Sequence, residues 1–106
     1  MKITVNTQNN TYFLILDGKF NIDHIDVFDE NFHSIIKNKP DAIAINLQNV
    51  EYIDSSALGS LIKGLNLCKK LNIKFYLCDL KENINLVFKL SYLDKFFNIV
   101  SSSEIN

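Results

Sequence analysis

The sequence predicts an α/β sandwich, in which a mixed sheet of four to five strands is covered mainly by helices. Short, nearly continuous apolar segments at residues 42–47 and 73–78 indicate strands that are buried on both faces. Residues 55–71 and 82–90 repeat apolar side chains at helical spacing. Strands that alternate with helices in this way are joined by right-handed βαβ crossovers. The expected order of elements is β-β-α-β-α-β-α.

The first part of the chain predicts a hairpin followed by a helix. Apolar segments on either side of a turn-rich stretch within residues 3–16 indicate two antiparallel strands. We expect the second strand to end at Gly18. Apolar side chains over residues 25–36 then recur at steps of three and four, which indicates a helix with Asp23 as its N-cap.

At 106 residues the chain has room for one domain with one hydrophobic core, and we assign residues 1–106 to a single domain. The apolar fraction of 47% is ordinary for a globular protein and far above that of disordered chains. Residues 93–100 fit a short helix, a strand or both. The tail, residues 101–106, is expected to fray.

The charge balance excludes several classes of partner. Eleven basic residues against twelve acidic ones give a formal net charge of −1. This value predicts no strong electrostatic footprint for nucleic acid or anionic lipid. The N-terminus lacks the apolar core of a signal peptide, and no run of about 18 apolar residues is present. We therefore expect a cytoplasmic protein, compatible with a monomer, that neither inserts into a membrane nor binds nucleic acid directly.

The cysteines and histidines have structural explanations. Cys68 and Cys78 are too few for a disulfide scaffold and fit two small buried hydrophobes in a reducing compartment. His24 and His33 lack the spacing of metal ligands. The sequence contains no Gly-rich phosphate loop and no arrangement of Ser, His and Asp typical of a hydrolase. It thus predicts a protein that is not an enzyme and has no cofactor or metal site.

One turn concentrates polar side chains that can carry function. Asp54, Ser55 and Ser56 open the helix with the clearest apolar stripe and follow a buried strand, a location where functional groups collect in open α/β folds. Each of the three is also a favoured N-cap, and on spacing alone capping is the stronger explanation. Gly59, one turn into the helix, is unfavourable by roughly 1 kcal/mol relative to Ala. It indicates either close approach by another chain or tight packing of the helix on the sheet.

Residues 54–61 resemble the Asp-Ser-Ser/Thr-Gly-Leu-Gly signature of the anti-sigma factor antagonists, a family of STAS domains. The strand at residues 43–47 precedes this motif at the spacing expected of that family. Residues 14–18 look like the second strand of the family and its glycine turn, and residues 87–93 resemble its C-terminal helix and turn. The resemblance covers nearly the whole chain and implies a STAS-type sandwich.

The resemblance also implies a partner-switching protein. In its unphosphorylated form such a protein captures an anti-sigma factor that is also a serine kinase, and so frees a sigma factor for transcription. The kinase phosphorylates the first serine of the motif, here Ser55, which abolishes binding, and a PP2C-type phosphatase restores it. The implied partner-binding residues are Asp54, Ser55, Ser56, Ala57, Gly59, Asn21 and Asp23.

Two positions depart from the family pattern. Ala57 stands where the family usually has Gly, and Asn21 stands where it has an acidic residue, with Asp23 two residues further on. Two other functions therefore stay open. One is a STAS accessory subunit that binds a transporter or other membrane complex without being phosphorylated. The other is a sensor of a small molecule or nucleotide that uses the same crevice.

Overall fold

The computed structural model describes residues 1–105 and contains a five-stranded sheet and three helices. The strands are β1 (Lys2–Gln8), β2 (Thr11–Phe20), β3 (Ala42–Ile53), β4 (Lys74–Cys78) and β5 (Asn98–Val100). The helices are α1 (Ile25–Ile36), α2 (Ser55–Lys70) and α3 (Glu82–Leu90), with 3₁₀ turns at Ile22–His24 and Ser102–Glu104. Within residues 1–105, no helix combines the length and hydrophobicity needed to cross a bilayer.

The strands lie in the sheet in chain order, from β1 to β5. β1 and β2 form an antiparallel hairpin, and its turn residues Asn9 and Asn10 both have positive φ, as two-residue hairpin loops require. All later strands pair in parallel, so α1, α2 and α3 are crossover connections. Right-handed crossovers that step in one direction place the three helices on one face. The α/β sandwich prediction is confirmed. Within residues 93–100, for which the sequence fits a helix, a strand or both, Asn98–Val100 form β5.

The hydrophobic core lies between the helices and the sheet. Residues 42–47 of the central strand β3 are all buried, as their apolar run predicts. Aromatic rings join the two layers: Phe28 packs on Phe20 with ring centroids 4.9 Å apart, and Phe32 packs on Phe75 at 6.0 Å. This packing holds the helices at fixed positions over the sheet, which fixes where each helix begins at the carboxyl edge of the strands.

β2 and β3 are both longer than the sequence predicts. β2 does not end at Gly18, which has a φ of +115° and lies at an irregularity in the pairing with β3. Such a bulge bends the strand without ending it, so β2 continues to Phe20. β3 likewise continues beyond residue 47, and its residues 49–53 pair with β2. The sequence predicts a strand only over residues 42–47, because the longer strand depends on hydrogen-bonding partners that the extended β2 supplies.

The start of α1 also differs from the prediction. A 3₁₀ turn at Ile22–His24 precedes the helix, and the side-chain oxygen of Asn21 caps that turn by accepting the Asp23 N–H at 3.1 Å. Asp23 is therefore not the N-cap. It lies inside the turn with an exposed side chain.

The C-terminal segment folds back onto the sheet face opposite the helices. The sequence predicts fraying, but residues 101–105 contain a 3₁₀ turn with a capping box. The carboxylate of Asp79 accepts the Ser102 N–H at 2.8 Å and an Asn46 Nδ2–H at 3.1 Å. Through Asp79, these bonds attach the segment to the end of β4 and to the middle of β3. Asn106 lies outside the described residues.

Cys68 and Cys78 are buried free thiols, as the sequence predicts. Burial raises the pKa of each thiol to about 12, and the negative charge of Asp79 adds to the effect at Cys78. The thiolate is the reactive form of cysteine, so both side chains are inert at neutral pH.

We expect these thiols to make the protein less stable as pH rises above about 9. An unfolded chain releases the thiol protons near the ordinary pKa of 9.0, whereas the folded chain holds them up to about 12. The unfolded state is therefore favoured progressively within that window. The measurement is the free energy of urea unfolding from about pH 8 to about pH 11.

The control for this prediction is the double variant Cys68→Ala with Cys78→Ala. The variant differs from the parent protein only at the two thiols, so the difference between the two pH slopes is the thiol contribution. Equal pH slopes for the two proteins would show that the buried thiols do not contribute.

Candidate functional site

The candidate site lies at the edge of the sheet where β2 and β3 end. Phe20 and Ile53 are paired at the last position of the two strands, and the Asp54 N–H donates to the Phe20 carbonyl at 3.2 Å. Ser55 then begins α2. The loops that follow two neighbouring parallel strands therefore lie side by side, beyond the carboxyl ends of those strands, as functional loops do in open α/β folds.

The carboxylate of Asp54 joins these two loops. Its Oδ1 accepts the Ala57 N–H at 2.9 Å, which is the N-cap bond that the sequence predicts. Its Oδ2 accepts the Ile22 N–H at 3.0 Å, from a residue 32 positions earlier in the chain. One side chain thus caps α2 and holds the β2–α1 loop against the start of that helix. No local pattern in the sequence indicates the second bond.

Ser55 and Ser56 differ in accessibility. Ser55 is exposed, whereas Ser56 is half-buried. The N–H groups of the next two residues are engaged, since Ala57 donates to the Asp54 side chain and Leu58 donates to the Asp54 carbonyl at 3.1 Å. The geometry of a helix start leaves the amides of Ser55 and Ser56 for an acceptor from outside the helix. An exposed hydroxyl therefore lies beside two N–H donors and the positive end of the helix dipole.

Ala57 and Gly59 occupy different environments. The side chain of Ala57 is fully buried in the core, so only its backbone is available to a partner. A β-carbon at Gly59 would meet no neighbouring atom within 4 Å outside its own helix backbone, whereas one at Gly64 would lie 3.2 Å from the Phe32 ring. Tight packing therefore explains Gly64 and does not explain Gly59.

The β2–α1 loop brings Asn21 and Asp23 to the site. Ile22, which lies between them, is bonded to Asp54, so both residues lie next to the start of α2. The amide oxygen of Asn21 is used as the local cap, and the carboxylate of Asp23 is exposed. The predicted site residues from two distant segments thus converge at this edge of the sheet.

Two exposed apolar side chains flank the site and are absent from the sequence prediction. Ile22 is 65% exposed and Tyr52 is 53% exposed. Ile22 is held in place through its bond to Asp54, and Tyr52 lies two residues before Asp54 in β3. Exposed apolar groups clustered beside polar loops mark protein interaction surfaces. The sequence contains one indication of their exposure, because neither side chain belongs to an apolar pattern that predicts burial.

The chemistry at this edge is that of an exposed surface with both polar and apolar groups. Across the described residues, His, Cys, Asp and Glu form no group of three or more suited to a metal ion. The ring Nδ1 of His24 lies 2.9 Å from the Lys19 carbonyl and that of His33 lies 2.7 Å from the Asp29 carbonyl. The site itself offers a serine hydroxyl, free amides and exposed apolar groups.

A family model for the STAS domain matches residues 2–104. The chain belongs to the STAS domain family. Among the curated relatives of this STAS domain is an anti-sigma-B factor antagonist from Staphylococcus aureus, which is 21% identical over 105 residues. That alignment covers 99% of this chain and 97% of the relative.

Solved structures that resemble this STAS domain include several anti-sigma factor antagonists. One from Mycobacterium paratuberculosis has a TM-score of 0.87 at 17% identity and covers 97% of this chain and 87% of its own. SpoIIAA in its unphosphorylated form has a TM-score of 0.81 at 15% identity, with coverage of 97% and 91%. The phosphorylated form of SpoIIAA from Bacillus has a TM-score of 0.74 at 15% identity, with coverage of 97% and 95%. These likenesses confirm the predicted STAS-type sandwich.

We expect Asp54→Ala to destabilise the protein by roughly 2–3 kcal/mol, because it removes an N-cap and a second charge-assisted hydrogen bond. Asp54→Asn keeps one acceptor oxygen and should have an intermediate effect. Urea unfolding gives the stability, and native-state hydrogen exchange at the Ile22 amide tests the link between the loops. An Ile22 amide that exchanges equally slowly in Asp54→Ala and in the parent would contradict that link.

Proposed function

We propose that this STAS domain is an anti-sigma factor antagonist in a partner-switching pathway and that Ser55 is its switch. The unphosphorylated form binds an anti-sigma factor that is also a serine kinase and thereby releases a sigma factor. Phosphorylation of Ser55 abolishes binding, and a PP2C-type phosphatase reverses it. The observation that carries the proposal is the exposed Ser55 hydroxyl at the start of α2, beside a loop that Asp54 holds in place.

Accessibility favours Ser55 over Ser56 as the modified residue. A kinase must bring the substrate hydroxyl into line with the terminal phosphate of ATP, so the side chain has to enter the kinase site. Ser55 is exposed at the first position of α2, whereas Ser56 is half-buried one residue further on. Phosphorylation of Ser56 would require part of the helix start to move.

A phosphate on Ser55 is compatible with the folded domain. It would add a charge of about −1.5 to −2 at neutral pH, next to the amides of Ser55 and Ser56 and to the positive end of the helix dipole. The helix start therefore tolerates the modification. The effect falls on the partner, because a surface complementary to a neutral hydroxyl would face a bulky, hydrated dianion.

The surroundings of Ser55 supply the contacts for such a partner. Ile22, in the 3₁₀ turn that follows β2, and Tyr52, near the end of β3, present exposed apolar side chains. Exposed apolar and aromatic side chains are typical anchors of protein interfaces, where a few side chains carry most of the binding energy. Gly59 leaves the surface of α2 free of a side chain one turn beyond the hydroxyl, which permits close approach of a partner backbone.

Phosphorylation can be tested directly by incubating the protein with ATP and each anti-sigma factor kinase encoded in its source genome. We expect one phosphate, located on Ser55 by mass spectrometry. Ser55→Ala should lose the label, and the matched control Ser56→Ala should keep it. Absence of label with every such kinase, or label that remains in Ser55→Ala, would overturn the proposed switch.

Substitution of the serine tests the consequence of the added charge. Ser55→Asp should weaken binding to the anti-sigma factor while leaving the melting temperature nearly unchanged, because a carboxylate in the first turn suits the helix dipole. Calorimetric titration and thermal melts measure the two effects separately. A strong loss of stability in Ser55→Asp would show instead that the serine is mainly structural.

The two glycines of α2 provide a matched pair for mapping the interface. Gly59→Ala should stabilise the protein by roughly 1 kcal/mol, since the helix gains a better former and the added methyl meets no neighbour. It should also weaken anti-sigma factor binding. Gly64→Ala should lose that gain in stability, because its methyl presses on Phe32, and should leave binding unchanged. Unaltered binding by Gly59→Ala would place the partner elsewhere.

A further inference from the structure

Most charged side chains of this domain lie at one of its two ends, and only Asp29, Glu30 and Lys63 lie between them. We call the end where the parallel strands finish and the helices begin the switch end. The switch end carries three lysines and seven carboxylates. The lysines are Lys2, Lys19 and Lys81, and the carboxylates are those of Asp17, Asp23, Asp26, Glu51, Asp54, Asp79 and Glu82. Its formal charge is therefore −4.

The opposite end, where the helices finish and β3 and β4 begin, is basic. It carries three carboxylates and seven lysines. The carboxylates are those of Asp41, Asp94 and Glu104, and the lysines are Lys37, Lys39, Lys69, Lys70, Lys74, Lys89 and Lys95. Its formal charge is therefore +4. The net charge of −1 predicts no footprint for an anionic surface, but the opposite charges cancel in that sum and not in space.

Exposed apolar side chains lie among these lysines. Leu90 is 72% exposed, Tyr92 is 88% exposed and Phe96 is also exposed. Lys69 Nζ lies 5.2 Å from the centroid of the Phe96 ring, which places the end of α2 beside the chain that follows α3. We call the following six residues the basic apolar patch: Leu90, Tyr92, Phe96, Lys69, Lys89 and Lys95.

Tyr92 has a left-handed backbone conformation, which is unfavourable for an aromatic residue. It follows α3 with a φ of +59°, and its N–H donates to the Lys89 carbonyl while the Leu93 N–H donates to the Phe88 carbonyl at 2.8 Å. This is the Schellman pattern, whose left-handed position favours glycine. The side chain gains little from burial either. Strain retained at an exposed aromatic residue indicates a role in binding.

The favourable placement of cations at helix ends accounts for only part of the patch. Lys69 and Lys89 lie in the last turns of α2 and α3, where they offset the helix dipoles. Lys95 lies outside any helix, and the dipoles have no bearing on the exposure of Leu90 and Tyr92. The combination of cations with projecting apolar groups therefore needs a separate explanation.

We propose that the basic apolar patch docks this domain on an anionic lipid surface. Lysines near such a surface are attracted by its negative potential, and a tyrosine places an apolar ring and a polar hydroxyl at the level of the headgroups. Leu90 and Tyr92 enter the headgroup region while the lysines remain outside it. Lysine is depleted in the cores of protein interfaces, so the composition favours lipid over a protein partner. Docking is peripheral and leaves the switch end facing away from the lipid.

The test is flotation of the full protein with vesicles of phosphatidylcholine alone or of phosphatidylcholine with an equal amount of phosphatidylglycerol. We expect binding to the anionic vesicles only, and loss of that binding at high salt. Lys89→Gln combined with Lys95→Gln should weaken it roughly thirtyfold. Ser55→Asp should bind the vesicles as the parent does, because its charge lies at the opposite end.

Tyr92→Gly separates a binding role from a structural one. It removes the aromatic ring and relieves the left-handed backbone, so the protein should be at least as stable while vesicle binding falls at least about tenfold. The matched control is Asn72→Gly, which relieves a φ of +59° after α2 and should leave vesicle binding unchanged. Equal vesicle binding by Tyr92→Gly and the parent, or no preference for anionic vesicles, would overturn the proposal. Binding of polyglutamate as tight as binding of the anionic vesicles, with the same dependence on Tyr92, would also overturn it. That result would indicate an acidic protein surface as the partner.

Discussion

The arrangement of the site depends on one carboxylate. Asp54 accepts one hydrogen bond from its own helix and one from a loop that lies 32 residues away in the chain. Bonds to an ionised acceptor are stronger than those between neutral groups, and two of them on one side chain restrict its rotation. The exposure of Ser55 and the position of Ile22 both follow from this restraint. Loss of Asp54 would therefore affect both segments at once.

A rigid setting suits a switch that acts by charge. The aromatic contacts of α1 with the sheet hold the layers together, and the buried Ala57 anchors the first turn of α2 in the core. The proposed phosphate at this helix start would change the surface that an approaching protein meets and would leave the packing beneath it unaltered. The relative SpoIIAA has been solved in both its unphosphorylated and phosphorylated forms, and both share the fold of this chain.

Sequence patterns predicted the parts of this structure that depend on local periodicity. The apolar stripe of α2, the buried run in β3 and the capping role of Asp54 follow from spacing, and the element order follows from them. The patterns missed features that depend on contacts between distant residues. The Asp54–Ile22 bond joins separate loops, the extension of β3 depends on pairing with β2, and the attachment of residues 101–105 depends on Asp79. Net charge likewise says nothing about where the charges lie.

The separation of charge gives the molecule a permanent dipole moment along the line that joins its basic end and its switch end. Because its net charge is small, the protein experiences little net force in an external electric field, but its dipole moment experiences a torque. It turns before contact, so that encounters with charged surfaces or proteins begin from a narrow range of orientations. Within a Debye length of about 8 Å at physiological salt, this pre-alignment raises the productive fraction of collisions. Charged residues that touch no partner can thus still influence how the domain approaches one.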